Sequence, residues 1–327
     1  MTASPRASRP ETAPAPAGLA RAQGRTSGVA LITVSAASFG VMPILAKLVY
    51  RAGAQPVGLL AIRFPVAAAL LGLIVVVHGD RSGTPLRSAG RSTLTALVLL
   101  GAVGYAGQAL TYFGALTRAS AGLVALLLYV YPALVVILAA ALLRQRPGWS
   151  TVGCLALALA GTAVTLGPVG GGQLTGALLA LLAAAFYAGY ILVGSRVTPR
   201  AGALRSTAVI MAGAGVTLLV TAAVVRPRLP ATAAGWVALA GIVVICTVLA
   251  PLTFFAGLSR VGPADASTIS TLEPVVSVFL GVVVLGEHLA PLQVAGAVVV
   301  LGAVVTLARR GTRPASRGGR TSGQTRL

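Results

Sequence analysis

Residues Leu110–Leu143 read LTYFGALTRASAGLVALLLYVYPALVVILAAALL, and Leu252–Leu285 read LTFFAGLSRVGPADASTISTLEPVVSVFLGVVVL. A shift of 142 residues lays the first on the second. Thr111, Phe113, Arg118 and Pro132 then meet Thr253, Phe255, Arg260 and Pro274. Matches of Leu or Val mean little in so apolar a chain, but matches of Thr, Phe, Arg and Pro carry weight. The shift therefore marks an internal repeat.

The chain around this repeat is built for lipid. Of its 327 residues 57 % are hydrophobic and only 9 % are charged, with a mean hydropathy of +0.93. A soluble domain carries about 25 % charged residues, so the polar surface needed for a water-soluble enzyme is missing. Composition also excludes a disulfide scaffold and a disordered protein. Ten apolar runs follow one another at roughly 28–50, 56–78, 93–116, 120–143, 149–167, 174–195, 203–225, 234–258, 264–285 and 291–308. Each approaches the ~20 residues a helix needs to cross a bilayer core, and none alternates as a β-barrel strand would. The fold class expected is all-α, a polytopic membrane protein of ten transmembrane helices.

The repeat sets spans 3–4 beside spans 8–9. Each half then holds five spans. Five is odd, so the second half runs through the membrane in the opposite sense. This predicts two inverted five-helix repeats, 28–167 and 174–308, with a substrate site near the midplane between them. Residues 1–27 read as a disordered cytoplasmic tail and 309–327 as a basic cytoplasmic tail. The net charge is +20. With a cytoplasmic N-terminus, nineteen arginines fall in inside segments and four, Arg51, Arg118, Arg226 and Arg228, in outside loops. That bias places both termini inside. It also explains the charge without a nucleic-acid partner.

Polar residues within spans are costly there and so informative. Of five acids only Glu273 lies well inside a span. It precedes Pro274, which cannot donate to the helix ladder. At helical spacing it shares a small, polar face with Ser270 and Ser277. Glu273 is read either as a cavity residue or as a helix-joining one. Arg63, about two turns into span 2, needs a partner or a wet cavity, and Glu273 is one candidate. Lys47, near the outer end of span 1, is expected to reach the headgroups. Tyr131 and Tyr187 are candidate aromatic walls for an organic substrate. No Walker-type phosphate loop is present, nor a Ser-x-x-Lys, His-Glu-x-x-His or Gly-x-Ser-x-Gly motif, so the chain does not read as an enzyme. Cys154 and Cys246 stand alone in apolar runs, and neither metal nor cofactor is expected.

Glu273-Pro274, the apolar run after it, Gly286-Glu287, and then Gln293 and Gly296 resemble the signature of EamA-type carriers of the drug/metabolite transporter superfamily. Span 4, with Ala125, Leu126, Leu127 and Pro132, is similar to a first copy of that pattern. Ser38-Phe39-Gly40 and Arg63 also match, although Trp-Gly is usual where Phe39-Gly40 stands. The first copy has Arg144-Gln145 where Gly-Glu is usual. The resemblance implies a ten-helix inner-membrane secondary transporter that exports small amino-acid-like or drug-like metabolites by alternating access. Phe39 thereby joins the expected substrate cavity. A gradient of protons or another ion, or the substrate's own gradient, would supply the energy, and oligomeric state stays open. A channel-like pore and a membrane-embedded enzyme are the alternatives.

Overall fold

In the computed structural model the described residues are 17–78, 90–143, 149–166, 171–197, 201 and 203–311. Their regular structure is entirely helical. Seven helices among them are long and apolar enough to cross a membrane: Arg25–Arg51, Pro56–Val77, Gly90–Ala115, Ala121–Ala141, Gln173–Val197, Leu204–Val225 and Ala233–Leu258. Lipid offers a backbone no hydrogen-bond partners, so an apolar run of this length must satisfy its own N–H and C=O groups as a helix.

In chain order the elements are α1 (Ala17–Gly40), α2 (Met42–Arg51), α3 (Pro56–His78) and α4 (Gly90–Leu99). A π-helical stretch, Leu100–Tyr105, joins α4 to α5 (Ala106–Ala115). Then come α6 (Ala121–Leu128), α7 (Tyr131–Leu143), α8 (Trp149–Leu166), α9 (Gly171–Val197), α10 (Ala203–Val225) and α11 (Ala233–Gly241). A second π-helical stretch, Ile242–Leu249, leads into α12 (Ala250–Ser270), followed by α13 (Leu272–Leu285) and α14 (Pro291–Gly311). The first helix starts well ahead of the expected boundary at 28. Residues 17–27 are therefore helical, a correction to the tail expected over 1–27. Their sequence, Ala-Gly-Leu-Ala-Arg-Ala-Gln, is rich in strong helix formers. Most of the basic tail after 308 lies outside the described residues.

Among the described residues three spans are interrupted, each just before a proline. The breaks fall at Val41, at Tyr129–Val130 and at Thr271, ahead of Pro43, Pro132 and Pro274. A proline removes one ladder donor and crowds the preceding turn, so the helix restarts there. The second and third breaks are 142 residues apart. So are the starts of the two π-helical stretches. The sequence offset thus recurs in backbone geometry, at places where no side chain was matched.

The chain from α12 into α13 does not run straight. Ser35 donates to the Ala250 carbonyl at 2.7 Å, while Ser277 donates to that of Gly40 at 2.9 Å. Ser35 and Gly40 are less than two turns apart, yet a straight helix from 250 to 277 would be about 40 Å long. The chain therefore turns back between Ala250 and Ser277.

The helices meet in specific pairs: α1 on α12, α3 on α10, α5 and α7 on α9, α6 on α13, and α8 on α14. Small residues allow the close approaches. Ala177, Ala180, Ala184 and Ala188 form a fully buried stripe along α9. Such stripes bring membrane helices near enough for dense van der Waals contact. Four connections gather on one face. Gln55 donates its N–H to the Arg228 carbonyl, Ala231 to that of Ala52, Lys47 to that of Ala119, and Arg51 to that of Leu285.

Candidate functional site

The broken helices bring their loose ends together. Pro274 has no N–H, so the Ser270 carbonyl one turn earlier lacks its ladder donor. Tyr129, at the break between α6 and α7, supplies one: its hydroxyl lies 2.6 Å from that carbonyl oxygen. The same hydroxyl lies 3.0 Å from Oε2 of Glu273. One phenolic hydrogen cannot fully serve two acceptors, so a protonated Glu273 would donate back to the phenol. The break at Val41 follows the same rule. Ile44 and Leu45 both bond to the Val41 carbonyl, which leaves the Gly40 carbonyl to the Ser277 hydroxyl.

From Tyr129 a row of aromatic rings leads away. Tyr129 meets Tyr131 at 6.0 Å between centroids, and Tyr131 meets Tyr187 edge-on at 4.7 Å. Tyr187 stacks with Tyr190, Tyr190 with Tyr105, and Tyr105 stands edge-on to Phe64. The hydroxyls of Tyr105, Tyr131, Tyr187 and Tyr190 make no hydrogen bond among the described residues, and all four side chains are half-buried. A wall of stacked rings with unengaged polar tips suits an organic molecule that carries polar groups.

Arg63 stands beyond Phe64. It is 4 % exposed. Its Nε–H donates to Thr247 Oγ1 at 2.9 Å, and Thr247 donates in turn to the Ile242 carbonyl at 2.9 Å within the second π-helical stretch. Its guanidinium carbon sits 5.4 Å and 5.3 Å from the ring centroids of Phe64 and Phe113. Among the described residues no ion pair joins Arg63 to Glu273. The candidate partner from sequence is thus replaced by a hydroxyl that sequence did not single out. Thr247 is available because a π-helical turn widens the ladder and lets a side chain reach the carbonyl five residues back.

The other expected site residues lie around this row. Ser277 is fully buried and spends its hydroxyl on Gly40. Ser270 contributes its carbonyl. Phe39 is half-buried at the end of α1, next to Gly40. Gly40 packs so closely on α13 that a Cβ there would lie 2.7 Å from the Glu273 carbonyl oxygen. Tyr129 is not among the residues the sequence singles out, whereas Tyr131, which the 142-residue shift lays on Glu273, is.

Lys47 does not reach toward headgroups. Its ammonium lies 3.2 Å from Oε1 of Glu287 and donates to the Ala119 carbonyl at 2.8 Å. The Glu287 carboxylate also accepts from the backbone N–H groups of Ala121 at 2.7 Å and Gly122 at 3.2 Å. It therefore caps the N-terminus of α6, where the helix dipole favours an anion. On the opposite face Arg25 pairs with Asp265 at 3.0 Å, both well exposed.

An apolar groove of about 630 Å³ lies between α9 and the end of α4 with the first π-helical stretch. It is lined by Leu99, Leu100, Val103, Leu182, Phe186 and Tyr190, among others. Only Tyr190 connects it to the tyrosine row, so the groove and the Glu273 site are separate places.

Comparison with known proteins follows the same lines. The model of the EamA-like transporter family matches residues 26–167 and again 174–309. An uncharacterized transporter of Bacillus subtilis (strain 168), YcbK, is 24 % identical over 286 residues, covering 83 % of this chain and 89 % of that protein. A solved crystal structure superposes with a TM-score of 0.58 at 21 % sequence identity, covering 88 % of this chain and 100 % of the other. The double family match spans most of the molecule, and the chain belongs to the EamA-like transporter family.

Proposed function

We propose that this protein is a secondary transporter of the inner membrane that exports small amino-acid-like or drug-like metabolites. It works by alternating access of two inverted five-helix halves, with both termini in the cytoplasm. The observation that carries this reading is the Tyr129–Glu273 contact. Tyr129 belongs to the broken span of one half and Glu273 to that of the other, and the breaks stand one repeat offset apart. The helix pairings support the inversion. Counting ten spans, exchange of each for the one five places along turns the α1–α12 contact into that of α9 with α5. It maps the α3–α10, α6–α13 and α8–α14 contacts onto themselves. Broken helices at a repeat interface offer free backbone groups and room for a substrate. A membrane enzyme is disfavoured by family membership, which is that of transporters.

Counterflow in proteoliposomes tests the reading. Vesicles preloaded with a metabolite pool should transiently accumulate labelled members of that pool against their gradient. Flux that never saturates and shows no counterflow would mean a pore instead. Glu273→Gln keeps shape and most hydrogen bonding but cannot titrate. If Glu273 carries coupling protons, the variant keeps exchange and loses gradient-driven transport. Wild-type gradient-driven transport by that variant would remove the proton role.

A further inference from the structure

Arg63 is almost fully enclosed, yet its hydrogen-bonding capacity is mostly unspent. A guanidinium has five N–H donors. Among the described residues only Nε finds an acceptor, Thr247, and the two terminal nitrogens find none. Tyr112 is in the same position. It is 2 % exposed, its ring packs edge-on against Phe113, and its hydroxyl bonds to nothing described. The two groups share a neighbour: the Phe113 ring lies 5.3 Å from the Arg63 guanidinium carbon and 5.4 Å, centroid to centroid, from the Tyr112 ring. Buried donors without acceptors are rare in proteins, and a buried cation without a counter-charge is costly even against two ring faces. Neither the Tyr50 hydroxyl, which donates to the Phe113 carbonyl at 3.0 Å, nor the Glu273 carboxylate, which accepts from Tyr129, is bonded to Arg63.

We infer that Arg63 and Tyr112 form an anion subsite, in which the terminal guanidinium nitrogens and the Tyr112 hydroxyl bind the carboxylate of a small organic acid. A planar carboxylate matches the guanidinium fork with two parallel hydrogen bonds. It also neutralises a single cation. A phosphate dianion would leave surplus negative charge among Phe64, Phe113 and the buried core, where desolvation is costly. The apolar body of the acid would lie along the rings. Arg63 is on α3, and Thr247, which aims it, is on the second π-helical stretch. The subsite therefore bridges the two proposed halves, so that an anion bound there reports on both.

This inference rests on the transporter reading for its meaning but is tested by binding, independently of transport. Full-length protein in lipid nanodiscs is titrated with sodium benzoate, with sodium phosphate and benzylamine in parallel, and its melting temperature is followed. Benzoate should raise the melting temperature saturably, and benzylamine should not. Arg63→Gln should weaken apparent benzoate affinity by about tenfold or more. Tyr112→Phe, which removes one oxygen and keeps the ring, should weaken it by about three- to tenfold. Arg91→Gln, an exposed arginine outside the site, should bind as wild type. Should Arg63→Gln fail to fold, Tyr112→Phe decides. Equal benzoate affinity in wild type and Tyr112→Phe overturns the subsite, as does a wild type that shows no saturable response. Phosphate binding more tightly than benzoate overturns the carboxylate assignment. Saturable, Arg63-dependent binding without counterflow would keep the subsite and end the transporter reading.

Discussion

At the scale of single residues, charge is placed where a helix end or a hydroxyl can absorb it. Glu287 receives two backbone N–H groups at the start of α6 and the ammonium of Lys47. Both side chains are largely buried, at 22 % exposure for Lys47 and 11 % for Glu287. Removing one partner strands the other, which costs about 3–5 kcal/mol for a well-buried pair. We predict that Glu287→Gln and Lys47→Met each lower thermal stability in detergent by more than the double variant does. Calorimetric or fluorescence melting of the four proteins closes the double-mutant cycle. Strict additivity would show that the two residues do not act as a pair. Sequence could mark Glu273 and Arg63 as special because a charge deep in a span is expensive. It could not mark Thr247, Tyr112 or Tyr129. A threonine or tyrosine in a span is common, and its worth depends on which carbonyl or cation another helix brings to it.

Elements show the same division between what is local and what is not. The breaks before Pro43, Pro132 and Pro274 are written in the chain, because proline acts on its own helix. The π-helical stretches are not, since no residue type demands them. The first occurs where two backbones come close. A Cβ at Gly101, in the first stretch, would collide with the Ile210 backbone carbonyl of α10. One at Gly213 of α10 would lie 2.6 Å from the Val98 carbonyl oxygen of α4. Neither backbone can yield as a flexible side chain would. Gly101→Ala is therefore expected to destabilise the fold by about 1–3 kcal/mol or more, as overpacking does. Gly72 gives the contrast. Nothing lies within 4 Å of a Cβ built there, and alanine is the better helix former by about 1 kcal/mol. Gly72→Ala should melt at or slightly above the wild-type temperature. Equal effects of the two substitutions would mean that the α4–α10 approach is not tight in the membrane.

For the whole molecule, the arginine count and the packing can be set against each other. The count concerns only which loops carry charge. The packing concerns only which loops touch. Yet the four sparse arginines fall on connections that the fold gathers on one face. Arg228 meets Gln55, Arg51 meets Leu285, and Ala119, next to Arg118, meets Lys47. Two independent lines thus select the same set of loops, and under the proposed orientation that face is external. Thr117 is exposed there, while Ser92 is exposed at the other end of the same span. In a background with Cys154 and Cys246 replaced, we predict that Thr117→Cys reacts with a membrane-impermeant maleimide on intact cells. Ser92→Cys should react only after permeabilisation. The opposite labelling would invert the orientation and move the termini outside. Equal labelling of both from outside would contradict a span through Gly90–Ala115. The orientation matters for mechanism, because it fixes on which side of the membrane the Lys47–Glu287 pair stands. With Thr117 outside, the buried pair stands on the external side, and the exposed Arg25–Asp265 pair lies toward the cytoplasm.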